Sequence, residues 1–375
     1  VMLPYGRQSI DGDDVRAVCD VLRGDWLTTG PQVAAFEAEL ARWTGGVPCV
    51  SVTSGTAALH TAYVAAGLGP GDELVTSPLT FVATASTATQ LGAEVVFADV
   101  EPDIATLDPA AAHAATTPRT KVVTAVDYAG HPADYDALRK VTDAAGALLV
   151  SDAAHAIGSR YRGRPVGSVA DLTTFSFFPT KTVTTAEGGA VAAIDPRRLE
   201  AAARFRNHGL VRDRALLRHP DEGGWHQEVT AFGLNYRLPD VLCALGVSQL
   251  RRLPAFRARR AALVARYDAA LGGLDGLAIP ARRAYADPAW HLYPVRVRGG
   301  RRREVYDRMR AAGIGVQVNY IPAYWHPAYE DLGYRRGMCP HAEAYYAEQL
   351  SLPLYPGLTD ADQDRVLAEL LAILT

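Results

Sequence analysis

Of the 38 lysine and arginine residues in the chain, only three are lysines: Lys121, Lys140 and Lys181. The first opens the apolar run Val122-Val123 and the second lies on a polar-faced, helix-like stretch, places where an amine is ordinarily solvated. Lys181 instead stands in Thr173-Thr174-Phe175-Ser176-Phe177-Phe178-Pro179-Thr180-Lys181, among threonines and aromatics, and no acidic residue follows it before Glu187. Desolvation in such a place lowers the pKa of a primary amine and makes its neutral, nucleophilic form accessible. Guanidinium stays protonated and forms no Schiff base, so a chain that uses arginine nearly everywhere else has a chemical reason to keep lysine here. Taken alone, the residue also fits a loop lysine whose stem is buried and whose amine snorkels to water.

A second reactive group lies upstream. Gly146-Ala147-Leu148-Leu149-Val150-Ser151-Asp152 is an apolar run ending in a carboxylate, the pattern of a buried parallel strand that delivers Asp at its carboxyl end. Ligands bind α/β sheets at that end. A buried carboxylate needs a cationic or hydrogen-bonding partner. The pyridinium nitrogen of pyridoxal phosphate would be one, and a structural Asp capping the next helix is the alternative. Cys49 to Leu59 passes from a short strand through Ser54-Gly55-Thr56 into a helix. Its first N–H groups, with the hydroxyls of Ser54 and Thr56, either cradle a phosphate or simply cap the helix. Phe81, after Pro78-Leu79-Thr80, offers a face to a planar ring or belongs to the core.

Holding these residues together takes a sheet. Glu73 to Thr76, Ala93 to Asp99, Lys121 to Asp127 and Ala147 to Asp152 read as short apolar strands. Phe81 to Leu91, Pro109 to Ala115 and Asp134 to Ala145 read as helices between them, which predicts a mainly parallel, doubly wound sheet. Thr173 to Phe177 and Gly189 to Ala193 add strands on either side of Lys181. Asp11 to Leu22 and Val33 to Trp43 are helical and precede the sheet, Arg204 to His226 is a polar, ordered surface loop or lid, and Val241 to Leu271 is a long arginine-rich helix. Beyond it Trp290 to Val297 and Gly315 to Tyr320 read as strands, Arg303 to Ala312 as a helix, and Thr359 to Leu374 as an amphipathic helix with an Asp cap. The expected division is a cofactor-binding domain over residues 1–245 and a bridging helix with a smaller α/β domain over 246–375.

A length of 375 residues allows two domains, and 49% hydrophobic with 21% charged residues is an ordinary globular balance. A formal net charge of −3 gives no reason to expect nucleic acid or an anionic membrane surface. The four cysteines lack paired spacing and fit buried thiols of a reducing cytoplasm. Cys339-Pro340-His341 is too cramped for a zinc site, so no metal is expected. The opening residues lack the blocks of a signal peptide and no uncharged apolar stretch reaches spanning length, so a cytoplasmic protein is expected.

In this order, Ser54-Gly55-Thr56, Phe81-Val82-Ala83-Thr84, Ser151-Asp152-Ala153-Ala154-His155-Ala156, Phe175-Ser176-Phe177, Lys181 and Glu187-Gly188-Gly189 resemble the DegT/DnrJ/EryC1/StrS sugar aminotransferases, fold-type-I pyridoxal-phosphate enzymes. The resemblance runs along nearly the whole chain. Leu27-Thr28-Thr29-Gly30-Pro31, Val126-Asp127-Tyr128-Ala129-Gly130, Asn235-Tyr236-Arg237, His291-Leu292-Tyr293-Pro294 and Ser351-Leu352-Pro353-Leu354 are similar to the branch that aminates a UDP-linked 4-keto sugar for pseudaminic acid.

The resemblance implies that Lys181 holds pyridoxal phosphate as a Schiff base and moves protons, that Asp152 pairs with the pyridinium nitrogen, and that His155 lies near the phenolic oxygen. It further implies that Phe81 stacks on the ring, that Gly55, Thr56 and Ser176 hold the phosphate, and that Asn235 reaches it from the neighbouring subunit of a homodimer. Tyr5, Arg237, Asn319 and Tyr320 are the candidates for the sugar nucleotide, with Asn319 standing where relatives commonly carry His. The implied reaction takes an amino group from L-glutamate to C4 of UDP-2-acetamido-2,6-dideoxy-4-keto-L-arabino-hexose. Other nucleotide-linked keto sugars are the nearest alternative, and a non-catalytic cofactor or sugar sensor is a different class that an intact Lys181 and Asp152 argue against.

Overall fold

The computed structural model describes residues 2–374. Seven strands form one sheet in the order Cys49–Val52, Gly189–Ala193, Leu172–Ser176, Leu148–Asp152, Thr120–Val126, Glu73–Thr76 and Glu94–Phe97. The last five pair in parallel, whereas Gly189–Ala193 runs against both of its neighbours. Every residue of Leu172–Ser176 and Gly189–Ala193 is buried, which is why these strands read as unbroken apolar or small-residue runs without alternation. Strands that run the same way in one sheet need crossover connections, and Gly55–Ala66, Ala83–Gln90, Pro109–Ala115 and Tyr135–Ala145 supply them. Gly67 ends the first of these in the left-handed region at φ 74°, a conformation glycine adopts without a Cβ clash.

A second core lies around the antiparallel sheet of Leu277–Ala278, Tyr293–Val297 and Gln349–Leu352. Val295 and Leu350 pack there with Val305 and Met309 of the helix Arg302–Ala311, and with Val366 and Leu370 of the helix Asp360–Leu374. The last helix opens with a reciprocal cap: the Asp362 N–H donates to Thr359 Oγ1 at 3.0 Å and the Thr359 N–H to Asp362 Oδ2 at 3.4 Å. The capping residue is therefore Thr359 and not an Asp.

One helix, Asp240–Leu271, joins the two cores. Leu250, Leu253 and Phe256 pack with Phe36, Leu40, Phe175 and Phe177, while Leu263, Val264, Tyr267 and Leu271 belong to the second core. At its start the buried Asp240 carboxylate accepts the N–H groups of Gly30 and Gln32, at 2.7 and 2.9 Å, and so pins the Leu27-to-Pro31 turn. Residues Tyr324, Tyr329 and Tyr345 return to the large-sheet core beside Phe97 and Tyr128.

One further expectation needs correcting. Gly315 to Tyr320 is not a strand: it makes a single bridge, Gln317 to Ser351, and the Asn319 N–H then donates to the Gln349 side-chain oxygen at 2.7 Å. A side-chain amide takes over from the ladder, and the chain departs toward the large sheet. Arg204 to His226 is an ordered surface segment, as expected, with Leu210–Val211 pairing with Glu228–Val229 in a small ribbon. Among the described residues no helix is long and apolar enough to cross a membrane.

Candidate active site

At the carboxyl ends of the parallel strands lies a cavity of about 440 Å³. It brings together Tyr5, Gly55, Thr56, Phe81, Asp152, His155, Ser176, Lys181, Asn319 and Tyr320, residues spread over most of the chain. Asp152 arrives as the last residue of Leu148–Asp152, and Lys181 on the loop after Leu172–Ser176. Lys121 and Lys140 are exposed, whereas Lys181 is partly buried and faces the cavity. Burial lowers its pKa to about 8, with the negative charge of Asp152 acting against that shift.

Asp152 is buried and doubly held: Thr84 Oγ1 donates to Oδ2 at 2.6 Å and the Ala154 N–H donates to Oδ1 at 3.1 Å. Burial pushes its pKa up, and the Thr84 hydroxyl, the Ala154 N–H and the Lys181 charge oppose that rise. Each carboxylate oxygen keeps acceptor capacity for a cationic partner.

The Ala129 N–H donates to His155 Nδ1 at 3.2 Å, which assigns the ring proton to Nε2, 3.0 Å from the Tyr320 hydroxyl. Burial, and then the Lys181 charge, hold the His155 pKa well below its usual value, so the ring is a neutral donor. Behind it the buried His291 ring lies 4.4 Å away, centre to centre.

At the start of the helix Gly55–Ala66 the Ser54 hydroxyl is taken by the Ala57 N–H at 3.0 Å, so capping explains Ser54. Gly55 explains itself differently. A Cβ there would lie 2.7 Å from Ser176 Cβ and 2.9 Å from Ser176 Oγ. A bare backbone is required where the helix N-terminus meets Ser176, which is the form of an anion cradle. A partly buried amine, a buried carboxylate and such a cradle on one cavity match the aldehyde, ring nitrogen and phosphate of pyridoxal phosphate, so the residues present fit that cofactor.

Phe81 stands at the rim, 59% exposed, edge-on to Tyr320 at 6.3 Å. Tyr5 lines the cavity together with Thr180, another residue of the wall. Asn319 is buried, with Oδ1 accepting from Ser351 Oγ at 2.9 Å. Two candidates are not brought to this cavity by their own chain. Arg237 donates to Asn207 Oδ1 at 2.7 Å in a separate groove with Gly30 and Glu37, and Asn235 is exposed beside it. Sequence reasoning missed Thr84 as a site residue, although its place one helical turn after Phe81 put it within reach, and it missed Gln317 and Thr180, for which spacing carries no signal.

Comparison with known proteins places the whole chain. The DegT/DnrJ/EryC1/StrS aminotransferase family matches residues 8–371. The chain is 38% identical over 371 residues to the spore coat polysaccharide biosynthesis protein SpsC of Bacillus subtilis, covering 97% of this chain and 95% of the relative. The sugar aminotransferase Spr1654 from Streptococcus pneumoniae superposes in its PMP form with a TM-score of 0.93 at 31% identity, over 99% of this chain and 98% of that one. Helicobacter pylori PseC, an aminotransferase involved in the biosynthesis of pseudoaminic acid, superposes with a TM-score of 0.92 at 28% identity, over 100% of this chain and 99% of its own. The fold is that of the fold-type-I pyridoxal-phosphate transferases, and pyridoxal phosphate is the cofactor. With a match that leaves only the chain's two ends outside it, the protein belongs to the DegT/DnrJ/EryC1/StrS aminotransferase family.

Proposed function

We propose that this enzyme transfers the amino group of L-glutamate to C4 of UDP-2-acetamido-2,6-dideoxy-4-keto-L-arabino-hexose, giving 2-oxoglutarate and the UDP-linked 4-amino-L-altrose derivative used for pseudaminic acid. The observation that carries an aminotransferase reading is the Lys181 amine, with its pKa lowered to about 8, sharing one cavity with the doubly held carboxylate of Asp152. Pyridoxal phosphate, when bound, supplies an electron sink for the carbon that loses or gains a proton.

The chain's own residues do the rest. Lys181 is present in part as the neutral amine near pH 7, so it can take the α-proton of glutamate and later return one to C4 of the sugar. Asp152 would keep a negative charge for the ring nitrogen. His155 would offer its Nε2 proton to the phenolic oxygen, Phe81 would cover a ring face, and the helix start at Gly55 and Thr56 would hold the phosphate with Ser176. Tyr5, Asn319 and Tyr320 line the remaining space for the sugar. Asn235 and Arg237 would enter a neighbouring subunit's cavity, completing a homodimer. Support for that comes from the stretch that precedes them, where Trp225 is 84% and Phe232 97% exposed.

A second reading, amination of another nucleotide-linked keto sugar such as a UDP-pentose or a dTDP-6-deoxyhexose, is favoured by the higher identity to the spore coat protein, 38% against 28% for PseC. The test begins with the visible absorption of the protein loaded with pyridoxal phosphate. L-glutamate is expected to bleach the band with release of 2-oxoglutarate, and Lys181→Ala is expected to lack it. The bleached enzyme is then offered each keto sugar and the band's return is followed. Return with a different sugar alone selects the second reading, and a band indifferent to every amino acid overturns the aminotransferase reading.

A further inference from the structure

Asp152 is held from behind by a polar chain that the reaction scheme does not use. Thr84 and Thr80 are both buried, their hydroxyl oxygens are 2.6 Å apart, and Thr84 Oγ1 lies 2.6 Å from Asp152 Oδ2. We propose that Thr84 is a positioning residue whose hydroxyl, itself supplied with a hydrogen bond by Thr80, keeps Asp152 ionised and turned toward the ring nitrogen of the cofactor. The proposal rests on the reading of this cavity given above.

The direction of the chain follows from counting protons. An ionised carboxylate only accepts, so the Thr84 hydroxyl must donate to it. That spends the single Thr84 proton, and Thr80 must then donate to Thr84. The Phe81 carbonyl, 3.3 Å from Thr84 Oγ1, is a competing acceptor, but the shorter bond to a charged acceptor wins. The backbone of Thr84 is itself fixed, since its carbonyl accepts from the Tyr63 hydroxyl at 2.8 Å and Tyr63 is in turn 3.1 Å from Thr124 Oγ1. With the Ala154 N–H on the other oxygen, two donors set the plane of the carboxylate.

A donor is needed at this spot. Lys181 faces Asp152 with a favourable charge, while Asp127, just past the end of the adjacent strand, has its own pKa pushed up to about 7 by burial, and the Asp152 charge adds to that rise. Tyr63, Tyr135 and Tyr320 are the other titratable groups that feel its charge. Without the Thr84 hydroxyl the carboxylate becomes more basic, and the proton shared with the ring nitrogen moves toward Asp152.

The experiment loads the full-length protein with pyridoxal phosphate labelled with ¹⁵N at the ring nitrogen and compares wild type, Thr84→Val, Thr84→Ser and Thr80→Val. In wild type and Thr84→Ser the ring-nitrogen resonance is expected at the pyridinium position. In Thr84→Val it is expected to move toward the neutral pyridine, with the glutamate half-reaction slowed. Thr80→Val should show a smaller movement in the same direction. An unmoved resonance in Thr84→Val, or a Thr84→Ser protein as altered as the valine variant, overturns the proposal. Should Thr84→Val fail to fold, Thr80→Val decides, because it leaves Thr84 in place, and no movement there overturns the proposal equally. Wild type that takes up no cofactor would instead overturn the reading of the cavity.

Discussion

Lys181 carries a pH signature that separates it from the other two lysines. With its pKa lowered to about 8 by burial, the amine is mostly protonated below that pH and mostly nucleophilic above it. The rate at which apoprotein captures pyridoxal phosphate should therefore rise with pH through a midpoint near 8, read by stopped-flow absorbance. A midpoint at about 10.4, the ordinary lysine value, would show that the amine is not desolvated. Lys181 and Asp152 were legible in the sequence because their chemistry admits few substitutes and because each interrupts its surroundings, a lysine in a chain of arginines and an acid ending an apolar run. Thr84 was not, since threonine is common and a side-chain hydrogen bond leaves no periodic trace.

Among the elements, the junction of Cys49–Val52 with Gly55–Ala66 makes a sharp demand at one position. Gly55→Ala would push a methyl group against Ser176, at 2.7 Å from its Cβ, in the space assigned to the phosphate. Overpacking of this kind costs about 1–3 kcal/mol. Cofactor affinity, measured by titrating apoprotein, should fall at least about tenfold while the far-ultraviolet circular dichroism stays that of wild type. Equal affinity in the alanine variant would remove Gly55 from the phosphate cradle. Most strands and helices were legible because apolar runs, caps and breakers are local: Glu73–Thr76, Pro109–Ala115 and Gly189–Ala193 have the ends expected of them. Gly315 to Tyr320 has the alternation of a strand and fails as one, because Gln349 offers its side chain where a ladder partner would have stood.

For the whole molecule the decisive question is where Asn235 acts. Its own chain leaves it exposed and away from the cavity, three residues after the bare Phe232. If the cavity is shared between subunits, Lys181→Ala and Asn235→Ala proteins, each inactive alone, should regain glutamate-dependent amination when unfolded together and refolded. Hybrid dimers would then hold one cavity with both residues intact. No recovery, with sedimentation showing that hybrids do form, would place Asn235 in structure and not in catalysis. The helix Asp240–Leu271 matters at this scale as well, since it carries apolar residues into both cores and makes their separation on one chain a matter of packing along a single rod.

Taken by itself, the sequence determined the chemistry and the class of fold: an amine where arginine would not serve, a carboxylate at a strand end, strands alternating with helices, and an order of short motifs shared with one enzyme family. Those features are local or are set by residue type, so they survive in one dimension. Only the tertiary structure decided that Tyr5 and Tyr320 close the same cavity, that Ser54 is taken up by its helix cap, and that Asp152 has Thr84 and Thr80 behind it. It also decided that Arg237 and Asn235 face away. Partners far apart along the chain meet only when the sheet and the long helix have packed, and no local pattern encodes which side chain a buried carboxylate finds waiting there.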